Sequence, residues 1–354
     1  MNWLYFCLIA LLWPFFSLAQ MDEVHLNDLK QLPNGTEIAL GFYNKGDLIT
    51  QGFILKHGKL SPVNNSDKLF EIGSVTKIFT TLSSMMVLDK KNIPLDTSIK
   101  SFLPEDSADD INHITFRKLM THSSGLPKYP RNIVWSVLRS PSQPVLHYSD
   151  KRLYRYLKNY APKLKDTSIY QYSNLGMGIL GHITSQLMEE DLNTIVTDEI
   201  LDKLEMNNTC VGVQNVANQK VKNSWEFSEI TVAAGGMIST VNDLLTFQKT
   251  VILKNAPDEK INLTLAKMET KQFPIKKNIS MAIGWKVNHT KNSIYYHGGV
   301  TREHKSILAI DLEHEKGIVI LTNAKGLTRK ENKILKKVVF GHLNDNEQNL
   351  NTFQ

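Results

Sequence analysis

The chain has 354 residues, 42% of them hydrophobic and 21% charged, with a formal net charge of +6 and a pI of about 9.0. These proportions fit a globular protein and exclude a disordered, collagenous or coiled-coil chain. The lysines are dispersed, the densest groups being pairs such as Lys276–Lys277 and Lys336–Lys337, and no basic run is interleaved with aromatics; this excludes a nucleic-acid partner and leaves a solvated basic surface.

In chain order, Trp3 to Leu18 is uncharged and shorter than the roughly 20 residues of a membrane-spanning helix. Pro14 interrupts it, and Ser17-Leu18-Ala19 fits a small-x-small cleavage site. Residues 1–19 therefore read as a signal peptide, although the segment before the apolar run has no Lys or Arg. The expected location is periplasmic or secreted. The alternative is an uncleaved leader, which would be the only attachment to a membrane. Cys7 lies in this leader, so Cys210 is left as a lone thiol in the mature chain, expected to be partly buried rather than reactive.

Residues 20–34 read as a lead-in. Glu37 to Tyr43 alternates, with Ile38, Leu40 and Phe42 on one face; a turn signal at Asn44-Lys45-Gly46-Asp47 and a second β-like run, Leu48 to Leu55, complete a hairpin. Val75 to Leu88 has helical spacing, which sets Ser74 at a helix N-terminus and Lys77 one turn on, on the same face. Residues 100 to 150 are rich in turns, with a short helix from Phe116 to Met120. Helices are expected over 150–163, 175–204 and Val241 to Thr250, and strands over Ala282 to Val287, Ser293 to His297, Ser306 to Asp311 and Gly317 to Thr322. A helix from about Leu327 to Leu343 follows. Strands at both ends and helices between them describe an α/β fold whose sheet is completed by distant parts of the chain.

Three short motifs carry chemistry. Ser74-Val75-Thr76-Lys77 is S-x-x-K: a serine hydroxyl needs a base within reach, and one helical turn supplies a lysine whose pKa burial can lower. The helix start also offers backbone N–H groups to an oxyanion. Taken alone, the same residues describe a capping serine beside a solvated lysine. Tyr172-Ser173-Asn174 offers a phenol, whose pKa a nearby lysine can lower, and an amide able to hold both the lysine and a substrate; alone it describes a core tyrosine beside a turn. His297-Gly298-Gly299 offers a strand end along which a substrate backbone can lie, with a histidine that can donate to a carboxylate or carbonyl.

In this order the motifs resemble those of the serine β-lactamase-like hydrolases related to class C β-lactamases, D-alanyl-D-alanine carboxypeptidases and some esterases. Leu119-Met120-Thr121-His122-Ser123-Ser124-Gly125-Leu126 is similar to the family's L-L-T-H-T-S-G-L, Tyr172-Ser173-Asn174-Leu175-Gly176 to its Y-S-N-L-G, and Ala233 to Thr240 with Asp243-Leu244 to its A-G-G-L-x-S-T-x-x-D-L. Gly284-Trp285 also fits. The resemblance covers residues 35–343 as one catalytic domain and leaves 344–354 as a tail. It implies an antiparallel sheet flanked by helices, with a mostly helical inserted subdomain.

The resemblance also implies roles. Ser74 is the acylated nucleophile, and Lys77 and Tyr172 share the base and acid work. Asn174 holds Lys77 and the substrate amide, and His297, Gly298 and Gly299 line the substrate. The backbone N–H groups of Ser74 and Val300 form the oxyanion hole. His122, Gly235, Gly236 and Asp243 are structural. No cofactor or metal is implied; the partner is a small-molecule or peptide acyl substrate. His297 departs from the Lys-Thr-Gly of class C enzymes and is only partly charged near neutrality, which makes Arg302, in the charged run Thr301 to Lys305, a candidate for the missing cation. D-peptidase and esterase readings stay equally open, with efficient β-lactam hydrolysis behind them. The reading from a different class is a penicillin-binding receptor or pseudoenzyme without turnover.

Overall fold

The computed structural model describes residues 23–161, 169–212, 221, 224–325 and 329–344. The expected signal peptide and residues 345–354 of the expected tail lie outside them. In chain order the strands are β1 (Glu37–Asn44), β2 (Asp47–Lys56), β3 (Lys59–Pro62), β4 (Phe70–Glu71), β5 (Cys210–Val211), β6 (Met237–Ser239), β7 (Lys271–Lys276), β8 (Ile279–Ala282), β9 (Lys286–Asn288), β10 (Ile294–Val300), β11 (Lys305–Asp311) and β12 (Lys316–Thr322). The α-helices are α1 (Glu23–Leu29), α2 (Thr76–Lys90), α3 (Phe116–Met120), α4 (Val134–Arg139), α5 (Asp150–Lys158), α6 (Asn174–Met188), α7 (Leu192–Val196), α8 (Val241–Leu253), α9 (Glu259–Met268) and α10 (Arg329–Asn344).

Among the described residues, nine strands form one antiparallel sheet in the order β3-β2-β1-β12-β11-β10-β9-β8-β7. The hairpin read from the sequence is its N-terminal edge. β1 pairs with β12 in the register Leu40↔Ile320, so the two ends of the domain close the sheet. Ile38, Leu40 and Phe42 face the layer of α1 and α10, whose Leu335, Val338 and Val339 join the same cluster. Ala39, on the opposite face of β1, belongs to the larger core built around α2, α6 and α8. Helices thus cover both faces of the sheet, as expected of an α/β layer fold.

α2 is buried all round from Thr76 to Leu88, which explains its mixed pattern of apolar and small polar residues. Its hydroxyls are satisfied inside the protein: Thr80 donates to the Ala233 carbonyl at 2.8 Å, Ser84 pairs with Thr184 at 2.7 Å, and Thr76 accepts from the Met237 N–H at 3.0 Å.

Three sequence expectations are corrected. The single strand over 282–287 is two strands, because the chain turns at Ile283–Gly284 and the Ala282 N–H bonds the Trp285 carbonyl; the unbroken apolar run concealed the turn. The helix over 175–204 is two α-helices followed by a π-helical turn and a 3₁₀ turn, broken where Glu189 adopts φ +61° and Asp191 caps α7. The strand expected to end at His297 runs on to Val300, which puts both glycines inside it.

Candidate active site

β4 leads directly to Ser74. It belongs to a small three-stranded sheet, β4-β6-β5, and delivers the chain into a 3₁₀ turn, Gly73–Val75, that opens α2. Gly73 has φ +49°, a left-handed conformation that side chains disfavour, and a Cβ there would lie 2.7 Å from the backbone nitrogen of Val300. Gly299 is required for a related reason, since a Cβ there would overlap the Ile72 carbonyl oxygen. Two glycines thus let the nucleophile turn and β10 touch backbone to backbone. This contact brings Val300 beside Ser74, the arrangement needed for the two N–H groups to share an oxyanion.

Ser74 Oγ lies 3.2 Å from Lys77 Nζ and accepts a hydrogen bond from the Tyr172 phenol at 2.8 Å. Lys77 is 1% exposed and donates to the Ala234 carbonyl. Burial, and then the Lys286 and Lys128 ammonium groups, hold its pKa well below the ordinary lysine range. A neutral amine here can accept the Ser74 proton.

Burial raises the Tyr172 phenol pKa, with only a partial offset from the bond to Ser74. A raised pKa favours the protonated phenol, which donates to Ser74 Oγ. The Tyr172 ring leans on His122 at 4.5 Å between centroids, and His122 Nδ1 accepts the Ser173 N–H at 3.3 Å. Burial first, then Lys77, His297 and Lys286, keep His122 neutral. His122 is thus the support behind Tyr172, consistent with a structural role.

Asn174 opens α6 and lines the cleft. Its Oδ1 is buried with no hydrogen-bond partner among the described residues, so the lysine's carbonyl ligand is Ala234 and not Asn174. A buried, unpaired amide oxygen in a cleft is available to a substrate N–H. His297 also differs from expectation. It is 3% exposed, and burial, Lys286 and Lys77 hold its pKa well below the usual histidine value. Its Nδ1 lies 3.1 Å from the Gly298 carbonyl, an oxygen that only accepts, so the proton is on Nδ1 and Nε2 is an acceptor. A neutral His297 with this tautomer supplies no cation for a carboxylate.

The cation beside the reacting groups is one that the sequence reading passed over. Lys286, on β9, pairs with Tyr296 next to His297 and lies over the rings of Tyr172 and Tyr170 at 5.4 and 5.6 Å. Burial and the neighbouring Lys336 and Lys276 push its pKa down to about 8. The only advance signal was its place directly after Gly284-Trp285. Arg302, the cation favoured from sequence, is half exposed and lies 3.6 Å from Glu303.

Ser74 also lines a cleft walled by Tyr129, Ile133, Tyr148, Trp225, Phe227 and Ile230. Val300 and Asn174 reach its floor. Glu71, just before the nucleophile turn, ties this wall to the site. It accepts the Trp225 N–H at 2.7 Å, the Thr301 hydroxyl at 2.6 Å and His304 Nδ1 at 2.9 Å. The charged run Thr301 to Lys305 is therefore turned inward at His304 and Lys305, both buried.

A model of the beta-lactamase family matches residues 35–339. The chain belongs to the beta-lactamase family. As a member it shares 24% identity with a beta-lactamase of Providencia stuartii, over 62% of this chain and 55% of that protein. It is 27% identical to a beta-lactamase of Lysobacter lactamgenus over 42% of this chain and 35% of that one, and 27% identical to beta-lactamase-like protein 4 of Dictyostelium discoideum over 54% and 38%. The matches thus span about a third to just over half of these relatives' lengths. In three dimensions this beta-lactamase-family chain is similar to a class C beta-lactamase, with a TM-score of 0.70 and 19% identity over 91% of this chain and 94% of the other. A class C beta-lactamase from Rhodobacter sphaeroides gives 0.69 and 18% over 90% and 97%. The antiparallel sheet with flanking helices implied by the motifs is therefore the fold of the chain.

Proposed function

We propose that this chain is an exported serine hydrolase that cleaves an amide or ester through an acyl-enzyme on Ser74. The observation that carries the reading is Ser74 Oγ within reach of a buried Lys77, whose pKa is held well below the ordinary lysine range, and under a hydrogen bond from the Tyr172 phenol. Lys77 takes the Oγ proton as Oγ attacks the acyl carbon, and the N–H groups of Ser74 and Val300 receive the oxyanion. As the tetrahedral adduct collapses, the bond to the leaving nitrogen or oxygen breaks and Tyr172 gives that atom its proton, regaining one from Lys77. Water then attacks the ester carbon and passes a proton to the same pair, which returns it to Oγ as the C–Oγ bond breaks, freeing Ser74 and a carboxylic acid. The apolar cleft suits an aromatic or aliphatic acyl group, with its amide N–H on Asn174 Oδ1. Export rests on the leader alone.

Intact-mass time courses with benzylpenicillin and with a small activated ester test the reading, alongside Ser74→Ala. A mass gain that appears and decays, and is missing from Ser74→Ala, is the expected result. The reagent that clears faster distinguishes amide from ester preference. An adduct that forms and persists would favour a penicillin-binding receptor. An adduct that forms equally on Ser74→Ala would sink the assignment of the nucleophile.

A further inference from the structure

α4 is an amphipathic helix turned inside out. Each residue rotates the side chain by about 100°, which puts Val134, Trp135, Val137 and Leu138 on one face and Ser136 opposite. The apolar face is the exposed one: Trp135 is 60% and Leu138 66% accessible, and Val134 and Val137 are exposed too. Ser136 is fully buried, and its hydroxyl accepts the His147 N–H at 3.1 Å. Tyr129, ten residues or fewer from each of these, is also exposed. The other exposed large apolar side chains among the described residues, Leu48, Ile169, Leu253 and Leu263, are scattered along the chain. Single exposed apolar residues are ordinary, whereas a concentrated patch marks a binding surface.

The surroundings indicate what covers the patch. From Pro127 to Ser149 there is no Asp or Glu, while Lys128, Arg131 and Arg139 are present and exposed. None of these three is held in an ion pair among the described residues. A second copy docked on the same face would bring like charges together with no acid in the segment to balance them. A surface that is apolar in depth and anionic at its rim matches both features, and tryptophan is suited to that boundary. We infer that α4 and its basic flanks dock the protein peripherally on an anionic phospholipid surface, with Trp135 and Leu138 inserted at the headgroup boundary. No helix among the described residues is long and apolar enough to cross a membrane. Tyr129, Pro130 and Ile133, which line the catalytic cleft, immediately precede α4, so docking would hold the cleft mouth at the interface. The inference stands apart from the proposed hydrolysis, because binding is measured without substrate.

The test is hydrogen–deuterium exchange of the full chain with phosphatidylglycerol vesicles and with phosphatidylcholine vesicles. Reading exchange by segment separates α4 from any contribution of the apolar leader. The expected result is slowed exchange over 129–140 with phosphatidylglycerol, weakened by salt and missing with phosphatidylcholine. The double variant Trp135→Ser/Leu138→Ser should lose that protection or need roughly tenfold more lipid, while Leu263→Ser, which removes an exposed leucine elsewhere, should behave as wild type. Exchange over 129–140 that ignores phosphatidylglycerol, or a double variant protected as wild type, would overturn the inference. So would protection that grows with protein concentration alone, which would assign the patch to a second copy.

Discussion

A lysine serves as a base only when its charged form is made costly, and Lys77, the proposed base, sits where that holds. Burial is the larger cause, and the Lys286 ammonium adds to it. Lys286→Met keeps the bulk over the Tyr172 ring but removes the charge. Lys77 then holds its proton to higher pH, so the acidic limb of the kcat/KM profile for an activated ester should move to more alkaline values. The wild-type effect is present below about pH 8, where Lys286 is itself protonated. A limb that stays in place, or moves to lower pH, would show that Lys286 does not act on the base. S-x-x-K brought Ser74 and Lys77, the proposed nucleophile and its partner, together from sequence because one helical turn is a local distance. Lys286 was missed because its relation to Tyr172 depends on strand pairing, which has no local spacing.

The contact between the nucleophile turn and β10 is an element-scale device, and the two glycines of β10 differ in what they do for it. At Gly299 a Cβ meets the Ile72 carbonyl and Ser306 Oγ, whereas at Gly298 the nearest atoms are 3.6 and 3.8 Å away, ordinary contact distances. Gly299→Ala should therefore destabilise the protein by about 1–3 kcal/mol, because backbone has to move, and should slow acylation by pulling Val300 from Ser74. Gly298→Ala should leave the thermal midpoint close to wild type. Equal midpoints for the two variants would refute the packing argument. From sequence these glycines read as the end of a strand open to substrate; in the structure Gly299 is needed by the protein itself, whereas a Cβ at Gly298 would meet only ordinary contacts.

At the scale of the whole molecule, Glu71 joins parts of the chain more than 150 residues apart. The strand before Ser74, the wall at Trp225 and the loop after Val300 all converge on one buried carboxylate. Glu71→Ala would leave three donors without their acceptor and should lower unfolding free energy by ~3 kcal/mol in urea titrations. A change within about 0.5 kcal/mol, the size expected of an ordinary surface substitution, would show that the three segments are held by packing alone.

The sequence by itself determined what is local or periodic: the N-terminal hairpin, the helix behind Ser74, the short helix Phe116–Met120, the strands near the C-terminus, and the motif residues that meet at the site. Hydrophobic spacing carries that information because each element must hide one face. Tertiary structure alone decided the electrical state of those residues. Burial beside Lys286 depresses the pKa of Lys77 and of His297, and enclosure raises that of Tyr172. Charge and desolvation act through space, between groups whose separation along the chain says nothing about their distance.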